Sequence, residues 1–323
     1  MMFTKFMKAG AWTKVLAVGA VCTLFSFPTA VKAQNVESIG ILAGYPGSTT
    51  AKLGEELALA LNGWSGIQVR TLIGRGSQQN VEDLLYLRGV DLAFLNSDVM
   101  TNLRVTQPDH PALRFLSYVT MVTESELHLI VRDDSQIGDI FDLQGKRVAI
   151  GNSTSGTALT SRLMLRLLGI RATGIFMDPH FSLEALKNEE LDAVFMLGAK
   201  PLPILQNLRE EDGLRLASIE FPFSEGESDV YNPTEFLPTD YPSLVKEKLI
   251  PAISVPVVLA AYDKFAPSSS RFKNIEAFTR AFLDTIPRLQ QPPRHPKWRQ
   301  IDLATEIVGW NRMDIVDQTL RNQ

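Results

Sequence analysis

The sequence predicts an α/β protein of two similar lobes, each a mostly parallel sheet flanked by helices, joined by two hinge crossings. A short apolar strand at 39–42 runs into a loop of glycines and hydroxyls and then a helix, and residues 147–157 repeat this design. A second near-match follows in each half, because 90–94 (VDLAF) resembles 191–195 (LDAVF). Strands interleaved with helices favour parallel sheets, with helix N-termini facing a shared cleft.

The first 33 residues have the pattern of a secretory signal peptide. Three lysines precede an apolar run at 15–27, and small residues end the segment at Ala33. The alternative, a transmembrane anchor, needs about 20 apolar residues, and this run is shorter. Cleavage after Ala33 removes the only cysteine, Cys22, so we expect no disulfide, thiolate metal site or cysteine nucleophile in the exported chain.

The exported chain is acidic. Four of the lysines lie in the first 33 residues, which leaves 28 basic against 36 acidic residues in the remainder. Nucleic acid is not an expected partner, because binding phosphates requires a dense basic face. No later run is long and apolar enough to suggest a membrane span.

Two apolar strands, at 126–131 and 252–260, are expected to carry the chain between the lobes. They divide it into a first lobe, residues 34–130 plus 255–323, and a second lobe, residues 131–254. Pro256 within the second crossing indicates an edge position or a bulge, since proline cannot donate to a strand ladder.

The first lobe is predicted to begin strand, helix, strand, helix, strand. Helix 51–61 has leucines at every fourth position, which places one apolar stripe against the sheet. Strand 67–73 leads into helix 78–88, which Gly89 ends. The run 90–95 is continuously apolar, as in a strand buried on both faces.

The second lobe is predicted to repeat this order. A leucine-rich helix from 158 ends at Gly169, a glycine C-cap. A strand at 174–177, a helix from 182 and a strand at 191–196 follow. The polar, proline-rich stretch 221–241 predicts a surface excursion without regular structure. Helix 275–286 and the tail beyond it return to pack on the first lobe.

Three loops rich in glycine and hydroxyl groups follow strands and begin helices. They contain Gly44, Ser48 and Thr49, then Ser77, then Ser155, Gly156 and Thr157. A helix N-terminus offers unpaired N–H groups and about half a positive charge, which attract carboxylates or phosphates. The alternative is that these residues are ordinary N-caps, worth about 1 kcal/mol each. Three such loops at strand ends, where α/β folds bind ligands, favour a cleft for a small anion.

Charged candidates are fewer. Arg75, flanked by glycines, is the best candidate for clamping a carboxylate through its two-pronged guanidinium, although an exposed turn arginine would look the same. Asp98 could accept from a ligand ammonium or cap the helix that it precedes. Lys200 is a weaker candidate.

Enzyme motifs are incomplete. Residues 151–155 lack the last glycine of a nucleophile elbow, and 74–79 lack the third glycine of a dinucleotide loop. The histidines show no metal-ligand spacing, and we expect His128, on an apolar strand, to be a buried structural residue. The sequence therefore predicts a binding protein without cofactor, metal or catalytic residues.

The order of these motifs resembles the TAXI family of TRAP-transporter solute-binding proteins over about two-thirds of the exported chain. The shared residues are the glycine loop from Gly44, LGEELA at 53–58, Gly76 and Ser77 with Asn80, VDLA at 90–93 leading to Ser97 and Asp98, DLQGKRVAIG at 142–151, Ser155 to Thr157, and LDA at 191–193 with Gly198 and Pro201. In the first loop, the family's paired glycines and two tyrosines are replaced by YPGSTT at 45–50, which makes glutamate-like ligands less expected.

The resemblance implies a periplasmic receptor with a type II-like periplasmic-binding-protein fold. Such a receptor closes on a small organic acid or amino acid and delivers it to the membrane subunits of a TRAP transporter. By position, the resemblance adds Tyr45, Ser97 and Gly198 to the loop residues expected to line the cleft. Alternatives are a receptor for an ABC importer or a sensor kinase, and an enzyme of the same fold such as a thiamine-pyrimidine synthase. That enzyme depends on a cysteine-rich motif, which this chain lacks.

Overall fold

The computed structural model describes residues 38–62, 67–220, 230–246 and 249–321. The predicted signal peptide lies outside these ranges. Within them, no helix combines the length and the apolar character that crossing a bilayer requires.

Ten strands and nine helices are found in the described residues. In the first lobe they begin with β1 (Ser38–Leu42), α1 (Thr49–Asn62), β2 (Gln68–Leu72), α2 (Ser77–Tyr86), β3 (Leu92–Asn96), α3 (Asp98–Thr106) and α4 (Ala112–Phe115). The first crossing strand, β4 (Leu116–Arg132), leads to β5 (Arg147–Ala149), α5 (Gly156–Leu167), β6 (Thr173–Ile175), α6 (Pro179–Lys187), β7 (Ala193–Gly198), α7 (Pro203–Gln206), β8 (Leu214–Ala217) and β9 (Asn232–Phe236). The second crossing strand, β10 (Ile250–Tyr262), returns the chain to α8 (Ser270–Leu289) and α9 (Asp314–Arg321). Three short 3-10 helices lie at Ile140–Leu143, Glu210–Asp212 and Pro296–Gln300.

All ten strands form one sheet of order β2-β1-β3-β10-β4-β7-β5-β6, with β8 added to β4 and β9 added to β10. The outer three strands of each lobe are parallel: β1 pairs with β2 and β3, and β5 pairs with β6 and β7. The two crossing strands are antiparallel to each other and to β3 and β7. The two-lobed α/β prediction is confirmed, but the parallel strands of the two lobes belong to one continuous sheet, joined through the two antiparallel crossing strands.

Both crossings are longer than the sequence predicted, and each is almost wholly buried. Pro256 sits opposite Glu124 of β4, with a register shift between Val257 and Val258. On its other side β10 pairs with β9 up to Ser254 and with β3 from Val257, so Pro256 falls between the two partners. The expectation of an edge or bulge position is confirmed.

Other expectations hold or fail for identifiable reasons. The leucine stripe of α1 is buried, and Trp298 in the C-terminal tail packs into the same cluster as α1 and α8, as predicted. Gly169 and Ile170 donate to the carbonyls of Arg166 and Leu165, which closes α5 at its C-terminus. The expectation that 221–241 lacks regular structure is wrong, because β9 lies within it. Its sequence, NPTEF, is polar because it pairs on one side only.

Each lobe buries apolar side chains on both faces of its sheet. In the first lobe, α1 and α8 cover one face and α2 and α3 the other. In the second lobe, α5 covers one face and α6 and α7 the other. Leu159 of α5 is an exception, because it packs into the first-lobe cluster with Val99 and Leu103 of α3. This side chain therefore ties the second lobe to the first.

Candidate functional site

A cavity of about 450 Å³ lies between the lobes at the C-terminal ends of β1, β3, β5 and β7. Both lobes contribute to its wall, and most of its polar and glycine lining residues lie at or near the starts of helices. The polar and glycine lining residues are Gly44, Tyr45, Gly47, Ser48, Thr49, Thr50, Gly76, Ser77, Asn80, Asn96 and Ser125 from the first lobe, and Ser155, Gly156, Thr157, Asp178, His180, Gly198 and Asn207 from the second. Apolar lining comes from Phe94, Leu197, Leu202, Ile204 and Val257, among others.

Four helices of at least nine residues, α1, α2, α5 and α6, begin at this cavity. Two of the predicted hydroxyls cap them: the Ser48 hydroxyl accepts from the Ala51 amide at 3.2 Å, and that of Ser155 from the Ala158 amide at 3.1 Å. Asp178 caps α6 by accepting from the His180 amide at 3.0 Å. Ser48 and Ser155 are therefore N-caps, as the alternative interpretation held, and both also line the cavity.

Several cavity hydroxyls use their acceptor side within the protein and keep a proton to donate. Ser77 Oγ accepts from the Asn96 amide at 2.9 Å, and Thr157 Oγ1 accepts from the Leu197 amide at 3.1 Å. A serine or threonine hydroxyl has one O–H donor besides its lone pairs. Together with the helix N-termini, these groups make one part of the wall rich in donors, which suits a ligand group that accepts hydrogen bonds.

Formal charge in the cavity is sparse. Among the described residues, no lysine or arginine lines it, and Asp178 is the only lining residue with a carboxyl group. Although Tyr45 is 48% exposed, the protein around its hydroxyl removes part of the water and raises the pKa of that group, and the negative charge of Asp178 raises it further. Tyr45 belongs to the first lobe and Asp178 to the second, so these two groups influence each other across the cleft.

Nine of the eleven residues predicted for the cleft line this cavity, and Arg75 and Ser97 do not. The Arg75 side chain is 68% exposed and lies 3.8 Å from Asp83 of α2, so the predicted anion clamp is corrected. Ser97 is buried beyond the cavity, where its amide donates to the Pro256 carbonyl. Its carbonyl accepts from Trp310 Nε1 at 2.8 Å. Ser97 therefore anchors α3 to β10 and the C-terminal tail.

The two charged residues that ranked below Arg75 also lie outside the lining. Lys200 Nζ is 3.3 Å from the carboxylate of Asp240. Asp98 is fully buried, and its Oδ2 accepts from the Thr160 hydroxyl at 2.6 Å. Lys200 Nζ and Asp98 Oδ2 thus have protein partners.

Sequence reasoning missed Asn80, Asn96 and Asp178 as lining residues. Asn80 is buried, and its amide links the first two loops by donating to the Ala43 carbonyl at 3.0 Å and accepting from the Arg75 amide at 3.2 Å. Asp178 carried a usable signal, because an aspartate before a proline is typical of a helix start.

The lobes touch each other beside the cavity. Thr154 Oγ1 donates to the Arg75 carbonyl at 3.1 Å, where the loop before α5 meets the loop before α2. Gly76 lies very close to the loop before α5: a Cβ atom on Gly76 would be 2.5 Å from the Thr154 carbonyl oxygen and 2.6 Å from the Ser155 Cα. This structure therefore has the two loops in backbone contact.

Polar groups are also buried along the crossing strands. His128 contacts the Met196 carbonyl at 3.1 Å and the Tyr241 hydroxyl at 2.7 Å, and burial lowers its pKa to about 3. The structural role predicted for His128 is confirmed. Glu126 pairs with Lys297 at 3.2 Å and accepts from the Lys200 amide at 2.6 Å. These groups fix the strands that the lobes share.

Residues 41–309 match the model of the NMT1-like family. The chain belongs to the NMT1-like family. Its solved structural neighbours include a periplasmic transporter (13% identity, 81% of this chain and 85% of that one, TM-score 0.50). Another is a periplasmic sulfonate-binding protein of a putative ABC transporter from Methylobacillus flagellatus KT (14%, 88% and 77%, TM-score 0.48). An amino acid ABC transporter substrate-binding protein from Streptococcus pneumoniae, bound to L-arginine, is also similar (13%, 82% and 91%, TM-score 0.47). The sheet topology and the likeness to the periplasmic transporter together give this NMT1-like chain the two-lobed, type II-like periplasmic-binding-protein fold.

Proposed function

We propose that this NMT1-like protein is an extracytoplasmic solute receptor that captures a small carboxylate or amino acid between its lobes. The observation that carries the proposal is the interlobe cavity, into which four helix N-termini and several free hydroxyl donors converge. Binding without turnover agrees with the lack of a nucleophile, base and orienting group arranged together among the described lining residues. The lobe boundaries and the cleaved signal peptide at 1–33 belong to the same proposal, as does a periplasmic location.

The cavity also supports a description of the ligand. The donor-rich wall around Ser77 and Thr157 suits a carboxylate, because carboxylates accept hydrogen bonds and are attracted by helix N-termini. The apolar wall around Phe94 and Leu202 suits a hydrocarbon body. A dicarboxylate would place a second negative charge where no lysine or arginine of the described lining meets it. The ligand that fits is therefore small, partly apolar and singly anionic or zwitterionic.

The partner that we propose is the membrane part of a TRAP transporter, on the strength of the TAXI-like motifs. An ABC importer is the alternative, since structural neighbours include proteins of ABC systems. Uptake in membrane vesicles distinguishes them: a TRAP system requires a sodium gradient, whereas an ABC importer requires ATP. A regulatory role beside a sensor kinase would give ligand binding without uptake of either kind.

The first test is native mass spectrometry of the exported protein, followed by a thermal-shift screen of monocarboxylates, dicarboxylates and apolar amino acids. Ligand at 100 times its dissociation constant stabilises a protein by about 2.7 kcal/mol, which is visible as a melting shift. A co-purified acid, or a clear shift with one, supports the receptor. A ligand-free protein that no acid or amino acid stabilises contradicts it.

Thr157 tests whether the cavity is the binding site. Thr157→Ala removes the hydroxyl donor. It should weaken binding of the compound found by the screen by about 1–3 kcal/mol, which raises the Kd roughly fivefold to over a hundredfold. Thr157→Ser keeps the hydroxyl and should bind nearly as the parent does, when both are measured by isothermal titration. Equal affinity of the alanine and serine variants would place the ligand elsewhere.

A further inference from the structure

A carboxylate with one unpaired oxygen lies buried where the two lobes meet. Asp98, in the first turn of α3, has no exposed surface. Its Oδ2 accepts from the hydroxyls of Thr160 at 2.6 Å and Tyr231 at 3.4 Å. Its Oδ1 is buried and has no hydrogen-bond partner. Asp98 belongs to the first lobe, whereas Thr160 of α5 and Tyr231 before β9 belong to the second.

The contact exists only while α5 lies against α3. Leu159, next to Thr160, packs among first-lobe side chains and is 1% exposed. On the cavity side of the same helix, Gly156 touches the Asn96 side chain of the first lobe. Moving the lobes apart along this line would separate Asp98 from Thr160 and expose both to water.

No charged side chain of the described residues compensates Asp98. On α5, the nearby Arg162 is exposed. On β4, Glu124 bonds with Asn232 and Ser254, Glu126 with Lys297, and His128 is held neutral between Met196 and Tyr241. In the tail against α3, Arg312 contacts Tyr118 and Asp317, and Arg104 of α3 itself bonds with the Gly309 carbonyl. Strands β3 and β10 contain no charged residue.

An ionised carboxylate in this position has lost its water, and its hydrogen-bond donors are the hydroxyls of Thr160 and Tyr231 and its own backbone amide. Complete burial raises the pKa of Asp98 to about 7, although the hydrogen bonds from Thr160 and Tyr231 act in the opposite direction. Tyr231 stays neutral, because burial and the Asp98 charge raise its pKa well above the ordinary value of 10.0. The protonated carboxyl, without a charge to desolvate, fits this site better than the carboxylate.

We propose that Asp98 is a proton-binding site that couples protonation to closure of the lobes. The closed arrangement takes up one proton from solvent on the Asp98 carboxylate, and opening returns that proton to water. Neither step needs another reactant, and neither depends on which ligand the cavity binds.

The direction of the effect follows from the two environments. In the open arrangement Asp98 is hydrated and titrates near its ordinary pKa of 3.8, whereas in the closed arrangement it titrates at about 7. Closure is therefore most favourable when the pH is below the ordinary pKa of 3.8, and it becomes less favourable as the pH rises towards 7. The ratio of closed to open protein falls by up to about tenfold per pH unit in that window and levels off once pH exceeds about 8.

A pair of spin labels measures this ratio directly, without a ligand. Arg88 and Glu190 are exposed, one in each lobe, and both can be changed to cysteine in an exported chain that has none of its own. Pulsed electron paramagnetic resonance at pH 5, 6, 7 and 8.5 then reports the short- and long-distance populations. We expect the short-distance population to shrink steeply between pH 5 and 7 and to change by no more than about twofold from 7 to 8.5, as the titration is completed. In Asp98→Asn, which cannot ionise, the ratio should not change with pH.

Two further variants make the test specific. Asp91→Asn removes a buried carboxylate that lies wholly in the first lobe, bonded to the Gly40 amide and Arg271, so the titration should persist. Thr160→Val removes a hydrogen bond that favours the ionised form, so the midpoint should move to higher pH. That shift keeps the proposal testable if Asp98→Asn does not fold, as judged by circular dichroism. A parent protein with a constant ratio from pH 5 to 7 overturns the proposal, and so does an Asp98→Asn protein that titrates like the parent.

Discussion

Gly76 offers the sharpest test of how the lobes close, because it combines an unusual backbone with a contact across the cleft. Its φ of 113° and ψ of 163° lie in a region that almost only glycine occupies. A Cβ atom there would meet two backbone atoms of the second lobe at 2.5 and 2.6 Å. We therefore expect Gly76→Ala to have two separable effects, one on folding and one on closure.

The magnitudes follow from these distances. Backbone strain of this kind costs about 1–3 kcal/mol of folding free energy, whether the lobes are open or closed. Non-bonded heavy atoms rest about 3.5 Å apart, so the lobes of Gly76→Ala must stop roughly 1 Å short of the separation seen in this structure. That displacement would break the 3.1 Å hydrogen bond from Thr154 to the Arg75 carbonyl and strain the contact between Asp98 and Thr160. Loss of one or two hydrogen bonds, at about 1 kcal/mol each, weakens ligand binding by about fivefold to thirtyfold.

Urea unfolding measures the first effect, and isothermal titration with the compound found by the screen measures the second. Gly89→Ala is the matched control: it also has a positive φ, of 86°, but it lies outside the cavity lining, and a Cβ atom there meets nothing within 4 Å. The control should lose stability and keep its affinity. If Gly76→Ala binds the compound as tightly as Gly89→Ala does, the two loops do not approach each other in the ligand-bound state, contrary to this prediction.

Two further predictions concern the buried groups on the crossing strands. Lys297→Met leaves Glu126 buried without its cation and should lower the free energy of unfolding in urea by about 3–5 kcal/mol. Adding Glu126→Gln to this variant should recover most of the lost stability. A double variant no more stable than Lys297→Met would show that the unpaired Glu126 carboxylate does not cause the loss. The pKa of His128 is lowered to about 3, so the folded protein keeps this imidazole neutral while the unfolded chain protonates it below about 6.5. The free energy of unfolding should therefore fall by up to about 1.4 kcal/mol per unit as pH drops from 6.5 towards 3. His128→Gln should show a shallower fall over that range, and an unchanged slope would assign the effect to other groups.

Much of the fold could be predicted because local patterns and tertiary packing agree. The leucine stripe of α1 and the continuous apolar run of β3 each have one stable arrangement against a sheet. The expected positions of Ser155 and Thr157 follow from the same rule, since parallel strands bring their C-terminal loops to one edge. Strand β9 was not predicted because it is held by backbone pairing with β10, and its own side chains show no pattern that indicates a strand.

The errors in the site have a different cause. Arg75 and Asp178 flank similar helix starts, and the sequence alone does not show which way a side chain points. Arg75 turns towards Asp83, an acidic partner two helical turns into α2, and leaves the cavity. Asp178 is fixed by the capping bond to the His180 amide, which holds its carboxylate at the wall. A rule that charged residues in loops face the cleft thus favours Arg75, whereas in this structure Asp178 lines the cavity and Arg75 does not.

The antiparallel pairing of β3 with β10 determines when the first-lobe part of the sheet can be completed during folding. Phe94 of β3 pairs with Leu259 of β10, and the whole second lobe lies between them in sequence. Contacts so distant in sequence are slow to form, because the loop-closure entropy is lost before the pairing is gained. In a chain that emerges N-terminus first, β3 therefore has no β10 strand to pair with until residues 257–261 have been added. The first lobe begins first and is completed last, and a strand edge left unpaired over such an interval is prone to aggregation.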